Sequence, residues 1–243
     1  MQPRVLVGVT ASFHKEYCLE PFLKGFNSLT YENKDVLFVE NSQHDNYFNK
    51  LKSLGLNVIK GPYFKSPIKS ISTSRNILID KALNENYDYF FSLDQDTIPP
   101  KDAIERLISH NKQVTCGVCF SRTIIDGKVI LAPDVYKIVP NTENKEEFPS
   151  MKWPTEEEIR SNKLIQVVSC GAGCLLLHKN VIKKIKFRED LEQSEDRWFC
   201  ADLFKNNINI YCDTSVKCKH YILDRPYLWK QGKLYKKEDL IKK

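Results

Sequence analysis

The stretch Tyr87-Asp88-Tyr89-Phe90-Phe91-Ser92-Leu93-Asp94-Gln95-Asp96 constrains this chain more than any other. From Tyr87 to Leu93 it is mostly apolar and aromatic, the composition of a strand buried on both faces. It stops in two carboxylates flanking a glutamine. Thr97-Ile98-Pro99-Pro100 must then leave the strand, because proline donates no hydrogen bond to a ladder. In an open α/β sheet, ligands bind beyond the carboxyl ends of the strands. Two acids at that place repel each other unless a cation intervenes. A hard divalent ion held by one or two carboxylates plus substrate phosphates is the usual solution. Asp-x-Asp alone fits a solvated turn equally well, so this reading needs support from the rest of the chain.

The preceding sequence supplies the sheet. Val5–Thr10 and Val36–Val39 read as strands, with a shorter one at Asn57–Ile59. Between the first two, Leu19, Phe22, Leu23, Phe26 and Leu29 recur at helical spacing; Tyr47, Leu51 and Leu54 mark a second helix, and Ser70–Leu83 a third. Pro99-Pro100 is expected to open a helix carrying Ala103, Ile104, Leu107 and Ile108 on one face, before a strand over Val114–Phe120. Strands alternating with helices imply a parallel sheet with right-handed crossovers.

After Ser121 the pattern changes. Ile124–Ile130 reads as a hairpin turning at Asp126-Gly127. Residues 140–162 are polar, with a short acidic helix near Thr155–Glu158, and are expected to form a long loop over the sheet that acts as a lid. Regular structure resumes with Leu164–Val168 and Leu175–Leu177, a helix from about Glu195, and strands near Ile208–Cys212 and Val216–His220.

Four stretches converge if the first half is a nucleotide-binding α/β unit: Thr10-Ala11-Ser12, Glu40-Asn41-Ser42, Ser74-Arg75-Asn76 and Asp94-Gln95-Asp96. The first two are polar caps at strand ends, suited to a base and ribose. Arg75 is placed to reach a phosphate or a carboxylate. Taken singly, Glu40 reads as a solvated loop acid and Arg75 as a surface ion pair.

In order and combination, these pieces resemble an inverting glycosyltransferase of the GT-A fold, of the large family 2 type. The resemblance runs from residue 4 to about 222. It takes in the first two strands, the Ser74-Arg75-Asn76 helix, Asp94-Gln95-Asp96 (a DXD motif), the Gly171-Ala172-Gly173 turn, Ser194-Glu195-Asp196 and His220. It departs from the family at Glu40-Asn41, where two aspartates are common. It implies a mainly parallel central sheet flanked by helices, in a single domain over 1–243. Residues 1–121 would form the nucleotide-sugar half, 122–222 the acceptor half and 223–243 a basic, aromatic tail. It further implies a hexosyltransferase-type enzyme that moves a sugar from a nucleoside-diphosphate sugar to a glycan, lipid-linked or protein-linked hydroxyl, using Mn²⁺ or Mg²⁺. Thr10, Ala11, Ser12, Glu40, Asn41, Arg75, Asp94 and Gln95 would meet the donor. Asp96, with Asp94 and His220, would hold the metal. Asp196, or in second place Glu195, would be the general base. Gly171, Ala172, Gly173 and Trp198 would face the acceptor.

The chemistry is consistent with that division. An attacking hydroxyl must lose a proton to a carboxylate, and a departing diphosphate needs its charge neutralised, so the two acid pairs must be separate. Each element also has a plainer reading. Glu195-Asp196 complements a helix N-terminus, the glycines make an ordinary turn, and Trp198 is a core tryptophan. Cys116 and Cys119 lie three apart in an apolar strand and so point to opposite faces, which argues against a zinc knuckle. A sugar nucleotidyltransferase would carry a glycine-rich loop after the first strand, where Thr10–His14 has none. A catalytically silent glycan-binding module would not need both acid pairs.

The net charge of +6 and pI of about 8.8 fit anionic substrates or a membrane surface without pointing to nucleic acid. No apolar run reaches the length of a membrane span. Met1–Val5 has no signal-peptide layout, so the eight cysteines are expected to be reduced thiols of a cytoplasmic protein. The tail Tyr227–Lys237 alternates aromatics and leucine with lysines. It reads as a solvated basic tail or as a peripheral anchor at the cytoplasmic face of a membrane.

Overall fold

The computed structural model describes residues 2–125, 128–139, 149–189, 193–222, 227–230 and 233–236. The chain opens with β1 (Val5–Ala11), a 3-10 segment (Phe13–Cys18), α1 (Leu19–Asn27), β2 (Lys34–Glu40), α2 (Asn46–Ser53), β3 (Val58–Lys60) and α3 (Pro67–Asn84). Next come β4 (Tyr89–Asp94), β5 (Thr97–Ile98), α4 (Ala103–Ser109), β6 (Val114–Val118), β7 (Phe120–Ile125), β8 (Lys128–Pro133) and β9 (Val135–Ile138). The remainder holds β10 (Met151–Lys152), α5 (Glu156–Arg160), β11 (Leu164–Val167), β12 (Ser169–Cys170), β13 (Cys174–His178), α6 (Lys179–Ile182), α7 (Glu195–Lys205), β14 (Ile210–Lys217), β15 (Lys219–His220), β16 (Tyr227–Lys230) and β17 (Lys233–Lys236).

Eight strands form one sheet in the order β11-β14-β6-β13-β4-β1-β2-β3. β3, β2, β1, β4, β6 and β14 run one way, while β13 runs against β4 and β6, and β11 against β14. Strands from before and after residue 121 therefore interleave. The expected parallel sheet is present, with two antiparallel insertions from the second half.

Alternation along the central strands divides the core. Val5, Val7 and Val9 of β1, with Tyr89, Phe91 and Leu93 of β4, pack on the face covered by α1, α2 and α4. Leu6 and Phe90 pack on the other face with α3, α6 and α7. Burial of both faces explains why β4 reads as a continuous apolar run. Removing each of its large side chains from water stabilises the fold by about 1.5–3 kcal/mol. Cys116 falls in one core and Cys119 in the other, as their spacing requires. All eight cysteines are buried and none is in a disulfide.

Local chemistry places the ends. α3 starts at Pro67 with the Ser66 side chain accepting from Lys69 N, and ends before Asn86, which takes a positive φ of 56°. The prolines at 99 and 100 do not open a helix directly: α4 begins at Ala103, after Asp102. Thr97-Ile98 leaves the main sheet and pairs instead with Lys219-His220, Thr97 opposite His220. The strand expected over Val114–Phe120 ends at Val118, and β7 pairs with β8 in a separate hairpin whose turn, Asp126-Gly127, lies outside the described residues.

The described part of the polar stretch, 149–162, carries regular structure. Residues 140–148 lie outside the described residues, but Met151-Lys152 pairs with β9 and Thr155 starts α5 in a capping box with Glu158. Lys137 reaches Glu158 at 2.5 Å, and Trp153 stacks on Tyr136 at 6.2 Å between ring centres. β16 and β17 pair antiparallel; the rest of 223–243 lies outside the described residues. No helix among the described residues is long and apolar enough to cross a membrane.

Candidate active site

The four stretches expected at the sheet's carboxyl edge meet there. Asn41 N donates to Ala11 O at 3.0 Å, and Phe13 N to Ser42 Oγ at 2.7 Å, which joins the ends of β1 and β2. Asn41 Nδ2 reaches Ser74 Oγ at 3.1 Å, one residue from Arg75. Thr10 Oγ1 donates to Asp94 Oδ1 at 3.1 Å. Glu40 is fully buried and committed: its Oε2 lies 2.7 Å from Lys60 Nζ, and its Oε1 accepts from Ser42 N at 2.7 Å. Ala11 is a buried core residue.

The acid turn is built from its middle outward. Gln95, with no exposure, accepts from Ser12 N at 3.2 Å and donates to Lys15 O at 3.1 Å and to the Tyr47 hydroxyl. The glutamine thus fastens the loop after β1 to the turn after β4, and leaves the flanking aspartates facing a common space. Arg75, 2% exposed, donates from Nη2 to Asp94 Oδ1 at 2.8 Å and from Nη1 to Glu195 Oε1. Lys15 Nζ lies 2.9 Å from Asp96 Oδ1 and 3.9 Å from Asp94 Oδ2. Burial alone would raise the Asp94 carboxyl, but Lys15 and Arg75 together hold it below its ordinary value. Burial likewise opposes the Arg75 charge, and Asp94 and Glu195 more than restore it.

His220 comes to the turn through the β5–β15 ladder, which Tyr221 N extends by donating to Asp96 O at 2.8 Å. Its Nδ1 lies 2.9 Å from Phe120 O. A carbonyl only accepts, so Nδ1 carries a proton toward Phe120 O, and Nε2 lies 3.6 Å from Asp96 Oδ2. A ligating histidine is oriented in this way by a carbonyl on its other nitrogen. The oxygen and imidazole donors of Asp94, Asp96 and His220 suit Mn²⁺ or Mg²⁺, so the residues fit such an ion. Among the described residues no ready-made cluster of three or more ligating side chains is formed.

Gly173 and Gly171 require their lack of a side chain. Gly173 O accepts from Asp94 N at 3.1 Å, and a Cβ there would stand 3.1 Å from Thr97 Oγ1 and 3.3 Å from Asp94 Oδ2. At Gly171 a Cβ would lie 2.4 Å from Asp134 Oδ2. Ala172 between them is buried.

Beyond this turn opens a cavity of about 260 Å³ whose wall includes Asp134, Tyr136, Ser169, Ser194, Asp196 and Arg197. Asp196 lines it, with Oδ1 accepting from Arg197 N at 2.7 Å and from the Ser194 hydroxyl. Glu195, 7% exposed, points into the core toward Arg75. Its carboxyl is raised to about 7 by burial, with Asp196 adding to the rise and Arg75 opposing it. Asp134 is pushed up to about 7, chiefly by burial and then by Asp196. Trp198 is buried, with Arg188 over its ring at 3.8 Å, and the aromatic in the cavity wall is Tyr136. Sequence reasoning did not single out Lys15, Tyr47, Asp134 or Tyr136, because each is brought in by a partner distant in sequence.

A large, mostly parallel central sheet flanked by helices is the architecture of the GT-A fold. The chain belongs to glycosyl transferase family 2, whose model matches residues 9–186. Its structure is similar to A197 from STIV, with a TM-score of 0.53 and 19% identity over 96% of this chain and 93% of that one. It is similar also to S. aureus TarS 1–349 in complex with UDP-GlcNAc, with a TM-score of 0.53 and 15% identity over 88% of this chain and 57% of that one. A third likeness is to GalNAc-T7 with UDP, GalNAc and Mn²⁺, with a TM-score of 0.62 and 11% identity over 90% of this chain and 43% of that one. At such identities the likeness concerns the fold. Comparison with curated proteins gives no match.

Proposed function

We propose that this chain transfers a sugar from a nucleoside-diphosphate sugar to a hydroxyl of a glycan or lipid-linked acceptor, with inversion by direct displacement. The observation that carries the reading is the separation of two acidic places. Asp94, Asp96 and His220 gather at the sheet edge, while Asp196 stands in the wall of the neighbouring cavity. Arg75 spans from Asp94 to Glu195, which fixes the two places relative to each other.

In this reading Thr10, Ala11, Ser12, Asn41 and Gln95 form the donor floor, and Asp94, Asp96 and His220 would hold Mn²⁺ or Mg²⁺. When bound there, such an ion would supply positive charge against that building on the departing diphosphate. Asp196 takes the proton of the attacking hydroxyl, a role that needs a carboxylate within reach of the acceptor. Glu195 is bound to Arg75 and holds the base's helix in place. The cavity is polar, with Tyr136 backed by Trp153 offering a flat apolar wall, which suits a sugar ring. Gly171 and Gly173 leave room for the carboxylates of Asp134 and Asp94, between the cavity and the donor side. Mn²⁺ in the GalNAc-T7 structure and the UDP-sugar with TarS support a divalent ion and a nucleotide-sugar donor.

The test is a panel of nucleotide sugars with Mn²⁺ or Mg²⁺, scored for released nucleoside diphosphate. Release from at least one donor that stops with chelator and in Asp96→Ala is expected. No release from any donor with either ion, in the presence of glycan and lipid-linked acceptors, would sink the reading.

A further inference from the structure

We propose that Lys15 is a resident counter-ion of the acid turn, so that a divalent ion binds there only together with the donor diphosphate, which takes over the lysine as the ion takes over the acids. This rests on the metal-dependent donor reading above and adds an order of binding to it.

Three observations carry the inference. The first is the pairing itself. Asp96 has no side-chain exposure, and the ammonium of Lys15, itself 19% exposed, lies 2.9 Å from Asp96 Oδ1 and 3.9 Å from Asp94 Oδ2. A buried carboxylate without a partner is costly, so the lysine satisfies the turn when no other cation does so. An ammonium has no lone pair and ligates no metal. It therefore competes for the acids instead of joining them around an ion.

The second is the shortage of protein ligands. Arg75 already occupies Asp94 Oδ1, and the described residues form no cluster of three or more ligating side chains. A small divalent ion asks for about six donors in octahedral array, and phosphate oxygens commonly complete the set. A bare ion that displaced Lys15 would keep water at its remaining positions and leave an ammonium without an anion. A diphosphate supplies both needs at once.

The third is how Lys15 is held. Its N donates to Ser12 O at 2.8 Å and its O accepts from Gln95 Nε2 at 3.1 Å, while Ser12 N donates to Gln95 Oε1 at 3.2 Å. The middle residue of the acid turn thus pins the backbone of the lysine, leaving a flexible four-carbon stem to move the charge. The loop stays in place and only the ammonium swings from carboxylate to phosphate.

The test uses the full chain and Mn²⁺ binding read from the electron paramagnetic resonance signal of free Mn²⁺, with and without UDP. The wild type is expected to bind Mn²⁺ poorly alone and to gain on the order of tenfold or more in affinity with UDP. Lys15→Met is expected to bind Mn²⁺ alone more tightly than the wild type, again on the order of tenfold, and to lose most of the UDP-dependent gain. Lys15→Arg, which keeps the charge, should resemble the wild type for Mn²⁺ alone. Wild-type protein that binds Mn²⁺ as well without UDP as with it overturns the inference whether or not the variants fold. So does a folded Lys15→Met that binds Mn²⁺ alone no better than the wild type. In that second case UDP-dependent binding by the wild type leaves the donor reading standing. No Mn²⁺ bound by any of the proteins, even with UDP, overturns the metal reading and this inference with it.

Discussion

Arg75 and Glu195, 120 residues apart in sequence, pair in the core beneath the acid turn. The other arm of the same guanidinium lies 2.8 Å from Asp94. One side chain thus ties the turn after β4 to the first residue of α7, next to the acid assigned as base. Phe187 lies over the guanidinium at 5.2 Å and stacks on Phe199 at 4.2 Å, so an aromatic wall holds the arginine from one side.

Replacing Arg75 by methionine removes the partner of two carboxylates. Breaking a buried pair in this way costs about 3–5 kcal/mol. Urea unfolding at pH 8, where Glu195 has lost its proton, should show that loss, with a fall in melting temperature of roughly 10 °C. The loss should shrink near pH 5.5, where a protonated Glu195 needs no counter-charge. A change below about 1 kcal/mol at pH 8 would contradict the bridging role.

Asp196 and Glu195 are adjacent but point to different tasks. Asp196→Asn should lower turnover by about 10² to 10⁴-fold, the usual worth of a general base, while UDP still binds with Mn²⁺. Glu195→Gln should lower stability more than Asp196→Asn does. If Asp196→Asn turned over donor at the wild-type rate, the base would have to be another group.

Asp134 gives a pH signature. Its folded-state carboxyl is raised to about 7, above its ordinary value near 4, so the folded protein holds a proton that the unfolded chain releases. Its stabilising contribution is therefore complete below about pH 4, fades as pH rises toward 7, and is absent above. Metal-free protein should lose stability across that window at up to about 1.4 kcal/mol per pH unit, and Asp134→Asn should flatten the slope. Equal slopes for the two proteins would show that Asp134 does not carry the proton.

The basic tail is testable apart from the site. If the segment from Tyr227 onward is a peripheral anchor, the full chain should sediment with anionic vesicles, release in salt, and ignore neutral vesicles. A chain ending at Arg225 should lose the association. Binding that survives the truncation would place the contact elsewhere.

What the sequence revealed follows from what is local. The apolar run of β4, the acids that stop it and the prolines beyond need no distant partner to be read. The acidic run Thr155–Glu158 marks a short helix in the same way, and the structure adds the capping box that starts α5. The helix expected from Pro99-Pro100 begins at Ala103 because a turn closed by Ala103 N on Pro100 O intervenes, and the pairing of Thr97-Ile98 with His220's strand is one that no nearby residue signals. Lys15 is one of the 37 lysines and arginines of the chain, distinguished only by folding onto Asp96, 81 positions away. Trp198 and Tyr136 could not be ranked as cavity aromatics from sequence, since which ring faces the opening depends on how α7 packs against β12. Glu40 read as a solvated acid or a base-binding one; its pairing with Lys60 comes from the register of β2 and β3.

The ladder between β5 and β15 has a consequence for synthesis. The acids at 94 and 96 leave the ribosome early, yet the strand that covers Asp96 and delivers His220 is made more than a hundred residues later. At ordinary translation speeds the gap is on the order of ten seconds. Throughout that interval Lys15 and Arg75, already made, are the cations at hand for these acids, and the histidine is still to come. The acid turn is thus completed by a strand that emerges after the whole of the family match, residues 9–186, so a chain that stopped before Lys219 would lack the strand paired with Thr97-Ile98.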